Sequence, residues 1–532
     1  MPKSFILSGL FTASVICCIS FPGCNSVNAP GRSYYVSQSG SDDNDGSVRN
    51  PWRSLERVDR KVLNPGDTIL FEGGATFSGT CYLDSLDSGD KDSIVVLGSY
   101  GIGRATIDGG GKQGLVIDNT DYFKISNINI KGSGRKTGNS SDGVLITTAD
   151  NFELDNLEVS GFQHSGIHIN GSKNAIVTRV MAHDNGFAGI YVSGIHANDP
   201  VLYDNKNLYI GYCRTFNNPG DPTVLKNHSG NGILASSVSG GTIEYCEASG
   251  NGWDMPCTGN GPVGIWIWDC TNFTIQYCIS HHNMTNPVAT DGGGFDLDGG
   301  VSNSIIQYCV SWSNQGPGIG LFEFGAAKKW ENNIVRYNIS RNDGTLNGGS
   351  LSVWKGENGG SMTNCAVYNN TFYNDTAKGI SLWITNNIPG FSFKNNIFVY
   401  KGSFIGPTQK LTTESFTGNC YWNLSLNRST AGYNSFQKWA VSTGNEKSDG
   451  KLTAIFADPM LADPSGVIRP DTAFFDQNYL SGFLLRPGSP AAGKGIDPGA
   501  PFGIENTYSG INGSPVKHDG VFDIGAAGFV KK

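Results

Sequence analysis

A right-handed parallel β-helix, a solenoid of short strands coiled around one core, is the fold this chain predicts. Three observations carry it: a five-residue strand pattern that recurs, ladders of identical residues at matching coil positions, and a composition suited to strands and tight turns. Only 16% of the 532 residues are charged, against 73 Gly and 11% aromatics. Few charges and many turn formers describe numerous short strands rather than helices.

Residues 1–29 read as an export signal. Lys3 precedes an apolar stretch from Phe5 to Phe21, broken by Ser, Thr and two Cys, too short and too polar for a membrane span. Phe21-Pro22-Gly23-Cys24 resembles a bacterial lipoprotein processing site whose Cys would carry lipid. The Phe and Pro depart from the usual pattern, so lipidation of Cys24 and simple cleavage both stay open. The expected location is exported: periplasmic, outer-membrane lipoprotein or extracellular. The formal net charge is −8 with no Lys/Arg-rich run, which argues against nucleic-acid or anionic-membrane partners.

The mature chain is expected to begin with an end cap. From Ser54 to Leu63, Leu55, Val58 and Val62 have helical spacing, and Asn64-Pro65-Gly66 stops the run. Coils that bury a face only on their neighbours leave two open ends, and such a helix would plug the first. The coils follow over residues 30–411. Gly, apolar, any, apolar, any starts at Gly143, Gly166, Gly189, Gly232, Gly264, Gly294, Gly318 and Gly379, and at Ser350 with Ser in the Gly place. The steps are 23, 23, 43, 32, 30, 24, 32 and 29 residues, a coil near 23 with loop insertions.

A second strand type ends in Cys213, Cys246, Cys278 and Cys309, with Val180 before them and Asn338, Asn370 and Asn396 after. Five residues past each Cys stands Asn218, Asn251, Asn283 or Asn314. Residues at one coil position stack about 4.8 Å apart, so the amides can bond one another and the thiols form a buried ladder. Stacked disulfides are a sterically possible alternative, whereas zinc lacks any C-x-x-C spacing. Over residues 412–532 the repeat fades into Pro-, Gly- and Asp-rich sequence, expected to be loops and a cap over the far end of the same domain.

Several segments resemble the pectate-lyase-like superfamily of exported bacterial carbohydrate-active β-helix proteins. They are Tyr34–Ser37, Gly40–Gly46, Asn50–Leu55 and Asn64–Phe71 at the opening, and Asp458-Pro459, Leu484–Pro490 and Asp523–Ala526 at the close. The resemblance implies the β-helix and an association with carbohydrate. The aspartate-rich calcium motif of family-nine pectate lyases, expected around Asn314–Gly320, is missing. The Asp42–Asp45 turn is read as structural.

Period-two geometry points the two unspecified positions of each repeat outward. Coil by coil they form a column: His168/Asn170, Tyr191/Ser193, Leu234/Ser236, Trp266/Trp268, Asp296/Asp298, Gly320/Phe322, Ser352/Trp354 and Ser381/Trp383. Aromatics on both sides of an acidic centre suit the apolar faces of sugar rings. His168, Tyr191, Trp266, Trp268, Phe322, Trp354, Lys355 and Trp383 are therefore the expected substrate-binding residues. Asp296 and Asp298 lie about 6.6 Å apart at Cα. A bulge that turns Glu323 outward would set it beside Asp298, because an inward charge is costly. Asp296, Asp298 and Glu323 are the expected catalytic carboxyls of a glycoside hydrolase, with separations compatible with either retention or inversion. Such hydrolysis needs no cofactor; calcium at Asp291, Asp296 and Asp298 is the alternative use of the acids. Two other readings stay open. One is a uronate lyase with Lys355 as base, or Arg341 or Lys328 behind it, and calcium. The other is a non-catalytic glycan-binding or adhesion solenoid. His281 and His282 are further proton-transfer candidates near the groove.

Overall fold

The computed structural model describes residues 31–356, 360–385, 388–406, 411, 413–425, 436–466, 468 and 475–529. The expected export signal and Cys24 lie outside them. The described chain winds as an all-β parallel solenoid whose coils contribute to three ribbons. Two ribbons join in a 24-stranded parallel sheet and the third is a 13-stranded parallel sheet. They join through two 14-residue strands, Asn231–Glu244 and Val263–Gln276. These strands bend where Ser237 and Gly240, and then Asp269 and Asn272, take positive φ.

The recurring strand forms the first ribbon in the expected register: Ile167 pairs Ile190, Ile233 pairs Ile265, Phe295 pairs Ile319, and Ile319 pairs Leu351. The alternate apolar residues fill the core. The last predicted pairing is shifted by two residues. Leu351 and Val353 pair Leu382 and Ile384, which sets Trp383 beside Ser352 rather than Trp354. Ile380, Leu382 and Ile384 alternate equally well, so the apolar pattern alone admits both registers.

The turns are held by ladders. Each of Asn218, Asn251 and Asn283 donates its backbone N–H and its Nδ2–H to the Oδ1 of the next Asn, and Asn314 does so to Asp343, at 2.8–3.3 Å. Cys213, Cys246, Cys278 and Cys309 are buried, unbridged thiols. The ladder they begin continues through Asn338, Asn370, Asn396 and Asn419. Just before each Cys, and before Asn338, stands a Tyr with positive φ, a costly conformation for a bulky residue. Stacking offsets that cost: the rings of Tyr212, Tyr245, Tyr277, Tyr308 and Tyr337 follow at 5.0, 5.1, 5.0 and 5.4 Å.

At the first end the helix is shorter than its apolar spacing implied, Leu55–Asp59, capped by Ser54. Leu55, Val58 and Leu63 are buried whereas Val62 is exposed, because the chain leaves the helix before reaching it. In the Asp42–Asp45 turn, Asp42 accepts the N–H groups of Arg53 and Ser54 at 2.9 and 3.0 Å. At the far end the coils run on to Cys420–Asn423, past the expected fade at 412. The helix Phe436–Thr443 then buries Trp439 against Phe404 and Phe416. The last segment does not cover that end. It packs back along the flank: Asn506 meets Tyr337, Thr507 meets Tyr308, and the Asp523 carbonyl accepts from Asn369.

Candidate active site

The outward residues of the first ribbon stack as one column: His168, Tyr191, Leu234, Trp266, Asp296, Gly320, Ser352 and Trp383. Phe322 and Trp354 pair in the column beside it. The loops that make some coils longer than others rise around this column and enclose a cleft of about 1000 Å³. Tyr191, Trp266, Trp268, Phe322, Trp354 and Trp383 line it, and so do Asp291, Asp296 and Asp298. Gly320 leaves room for the acid beside it: a Cβ there would lie 2.9 Å from Asp296 Oδ1.

The three acids share an apolar enclosure. Asp296 is 3% exposed and its Oδ1 has no hydrogen-bond partner. Burial, then the Asp298 and Asp291 charges, push its pKa well above the usual carboxylate range. Asp298 is pushed up in the same direction by burial and by Asp291 and Glu323, although it accepts the Gly299 N–H at 2.8 Å. Asp291 is pushed up by burial to about 6, less far because it accepts from the Gly261 N–H and the Thr290 hydroxyl. All three carboxyls are thus pushed toward keeping their protons to higher pH than an exposed carboxylate would. A neutral carboxylic acid beside a carboxylate can protonate a leaving oxygen while the partner attacks or activates water.

Other expected site residues lie elsewhere. Glu323 does not reach the cleft. The strand Ile319–Glu323 stays in register without a bulge, so alternation carries the side chain inward. Its carboxylate is fully buried and accepts the N–H groups of Gly300, Gly325 and Ala326 at 3.1, 2.6 and 2.7 Å. Those donors meet the desolvation cost that had argued for a bulge. Lys355, its register partner, and His168 are also absent from the cleft lining. His168 is tied to Ser193 at 2.8 Å and Asp142 at 3.2 Å, and stacks on Tyr191 at 4.7 Å. Lys328 is buried in an ion pair with Asp269 at 2.7 Å. Arg341 and His281 belong to the third ribbon, where Arg341 holds the Gly466 carbonyl and His281 stacks on Trp312 at 4.1 Å. Neither is among the residues that line the cleft.

Among the described residues no three His, Cys, Asp or Glu side chains gather as metal ligands. The cleft also contains residues the sequence reading missed. Phe187, His228, Asn260, Phe324 and Lys378 line it from loops or from strand ends. The 43-residue step between Gly189 and Gly232 was the one signal for His228, since an insertion of that length must cover something.

Residues 34–347 match the family model described as the Pel9A-like right-handed β-helix region. The chain belongs to this family. This Pel9A-like β-helix is also 23% identical to a lacto-N-biosidase of Bifidobacterium longum subsp. longum, over 92% of this chain and 36% of that protein. It therefore spans about a third of the curated relative's length. Among solved structures it is similar to the GH136 lacto-N-biosidase from Eubacterium ramulus, with a TM-score of 0.53 and 20% identity over 70% of this chain and 68% of that one. The A-module of a mannuronan C-5 epimerase from Azotobacter vinelandii gives a TM-score of 0.50 and 14% identity over 67% of this chain and 91% of that one. Both likenesses concern the fold.

Proposed function

We propose that this protein is an exported glycoside hydrolase that works with Asp291, Asp296 and Asp298 in the aromatic cleft. One observation carries the reading: three carboxyls, each pushed up by burial and two of them further by neighbouring acids, share one cleft between walls of Trp, Phe and Tyr. Near neutral pH, Asp291 supplies the carboxylate, and Asp296 or Asp298 supplies the proton for the leaving oxygen. Trp266, Trp268, Phe322, Trp354 and Trp383 hold sugar rings by their apolar faces. The lacto-N-biosidase relative supports hydrolysis of an oligosaccharide over elimination, and the bases expected for elimination lie outside the cleft. Carboxyls alone suffice for the reaction, so chelators leave the rate unchanged. Export rests on Lys3 and the apolar run to Phe21, with lipid on Cys24 as its anchored form.

The test is incubation with a panel of host and plant oligosaccharides, lacto-N-biose-containing chains included. New reducing ends without an ultraviolet-absorbing unsaturated product are expected. An unsaturated product would overturn hydrolysis, and binding without either product would leave a glycan-binding solenoid. Asp291→Asn, Asp296→Asn and Asp298→Asn should each lower kcat/KM by about 10²–10⁴-fold. Full activity in all three would reject the site.

A further inference from the structure

Within the cleft lining one histidine has its proton placed by its neighbours. Asn231 is fully buried at the start of the strand Asn231–Glu244. Its Oδ1 accepts the Trp266 Nε1–H at 3.0 Å and the Val263 N–H at 3.3 Å, which fixes how the amide is turned. Its Nδ2 group therefore donates, to the Phe187 carbonyl and to His228 Nδ1, both at 3.1 Å. Since Nδ1 is an acceptor, the imidazole proton sits on Nε2. Burial works in the same direction and lowers the His228 pKa to about 4, so the ring is neutral. The ring stands edge-on to Trp266 at 4.9 Å and tilts against Phe187 at 5.8 Å. It lines the cleft, and no described residue accepts a hydrogen bond from Nε2.

We propose that His228 is a specificity-determining residue, a donor of fixed tautomer that gives its Nε2–H to an acceptor oxygen of a sugar seated beside Trp266. The inference rests on the glycan reading of the cleft and deepens it. A neutral histidine ordinarily offers one donor and one acceptor, and can exchange them. Here the acceptor is spent on Asn231, and the Trp266 N–H is spent on the same amide. What His228 itself offers a ligand is one N–H beside an indole. A sugar that presents a hydroxyl, ether or amide oxygen there is held. An analogue without that oxygen leaves a desolvated N–H unpaired and is rejected.

Two measurements test this. With ¹⁵N-labelled histidine, the ring nitrogens of His228, assigned by their absence from His228→Gln, should report the neutral Nε2–H tautomer at pH 7. An Nδ1–H tautomer or an imidazolium would overturn the proposal. Binding is then measured by calorimetry on Asp298→Asn, so that turnover does not interfere, with lacto-N-biose, lactose, cellobiose and xylobiose as probes. Adding His228→Phe should weaken the tightest of these by about 10-fold, the worth of one good hydrogen bond. Adding His228→Gln should restore most of the loss, because its amide can accept from Asn231 and still donate to the sugar. Unchanged binding in the Phe variant overturns the proposal, and so does the absence of binding to every probe. In the active background His228→Phe should raise KM more than it changes kcat. Binding that depends on His228 without any hydrolysis would sink the hydrolase reading alone. Hydrolysis that ignores His228 would sink this inference alone.

Discussion

At the residue scale, Asp296 sets function against stability. Its carboxyl sits in an apolar cleft with one oxygen unpartnered, so the folded protein holds its proton far above the pKa it has in the unfolded chain. Between those two pKa values the native state binds a proton that the unfolded state has released, and stability falls as pH rises through that window. Asp296→Asn removes the penalty. The variant's Tm should exceed the wild type's at pH 7, and the gap should shrink at about pH 2.5, below the unfolded pKa, where both states keep the proton. A gap of equal size at both values would tie it to packing instead of ionisation. The same logic sets the pH profile. Asp291, pushed up to about 6, must be ionised to act as carboxylate, so kcat/KM should fall as pH drops through about 6. An acid limb near 4 would remove Asp291 from that role. Asp296 and Asp298 were legible in the sequence because alternation alone faces them outward. Asp291 was legible only as an acid in a glycine-rich turn. Glu323 was misread because its three backbone donors come from turns whose path no local pattern specifies.

At the element scale, the ladders do at the turns what the strands do along the ribbons. Asn251 accepts from the backbone and side chain of Asn218 and donates to the Thr215 carbonyl and to Asn283. Asn251→Ala would take the partner from the two Asn218 donors and from the Thr215 carbonyl, all buried on the preceding coil, at a cost of about 3 kcal/mol. Urea unfolding should show a lower midpoint with an unchanged m value, and a loss below about 0.5 kcal/mol would reduce the ladder to ornament. Asp343 can end the ladder because an end needs only to accept. Asn314 donates to one of its oxygens, and Ser311 and Ser340 to the other. These ladders were legible because one residue type recurs at one spacing. The Tyr stack was present in the same alignment but went unread, since its meaning depends on a left-handed turn that brings the rings outward and parallel.

For the molecule as a whole, the solenoid's one-dimensional order is its main energetic fact. Each coil rests on its neighbours, so stability is a chain of nearest-neighbour interfaces and the ends are the weakest points. The sequence announced the first end by its short amphipathic helix and the far end by a loss of repeat, yet could not say what fills the far one. Loss of periodicity marks where coils stop and carries no information about which later segment returns. The structure assigns the far end to Trp439, fully buried against Phe404, Phe416 and Tyr421, and gives the last segment to the flank. Trp439→Ala should therefore cost about 3–5 kcal/mol, the range for a buried aromatic. That cost should fall locally: the last strands of the first two ribbons, Ser403–Ile405 and Ser415–Thr417, become an open edge. Hydrogen exchange should speed up there while the coils from Ser165 to Glu323 keep their protection and the cleft keeps its activity. Protection lost evenly along the chain would mean that the coils fold as one cooperative block, and the nearest-neighbour account would fail.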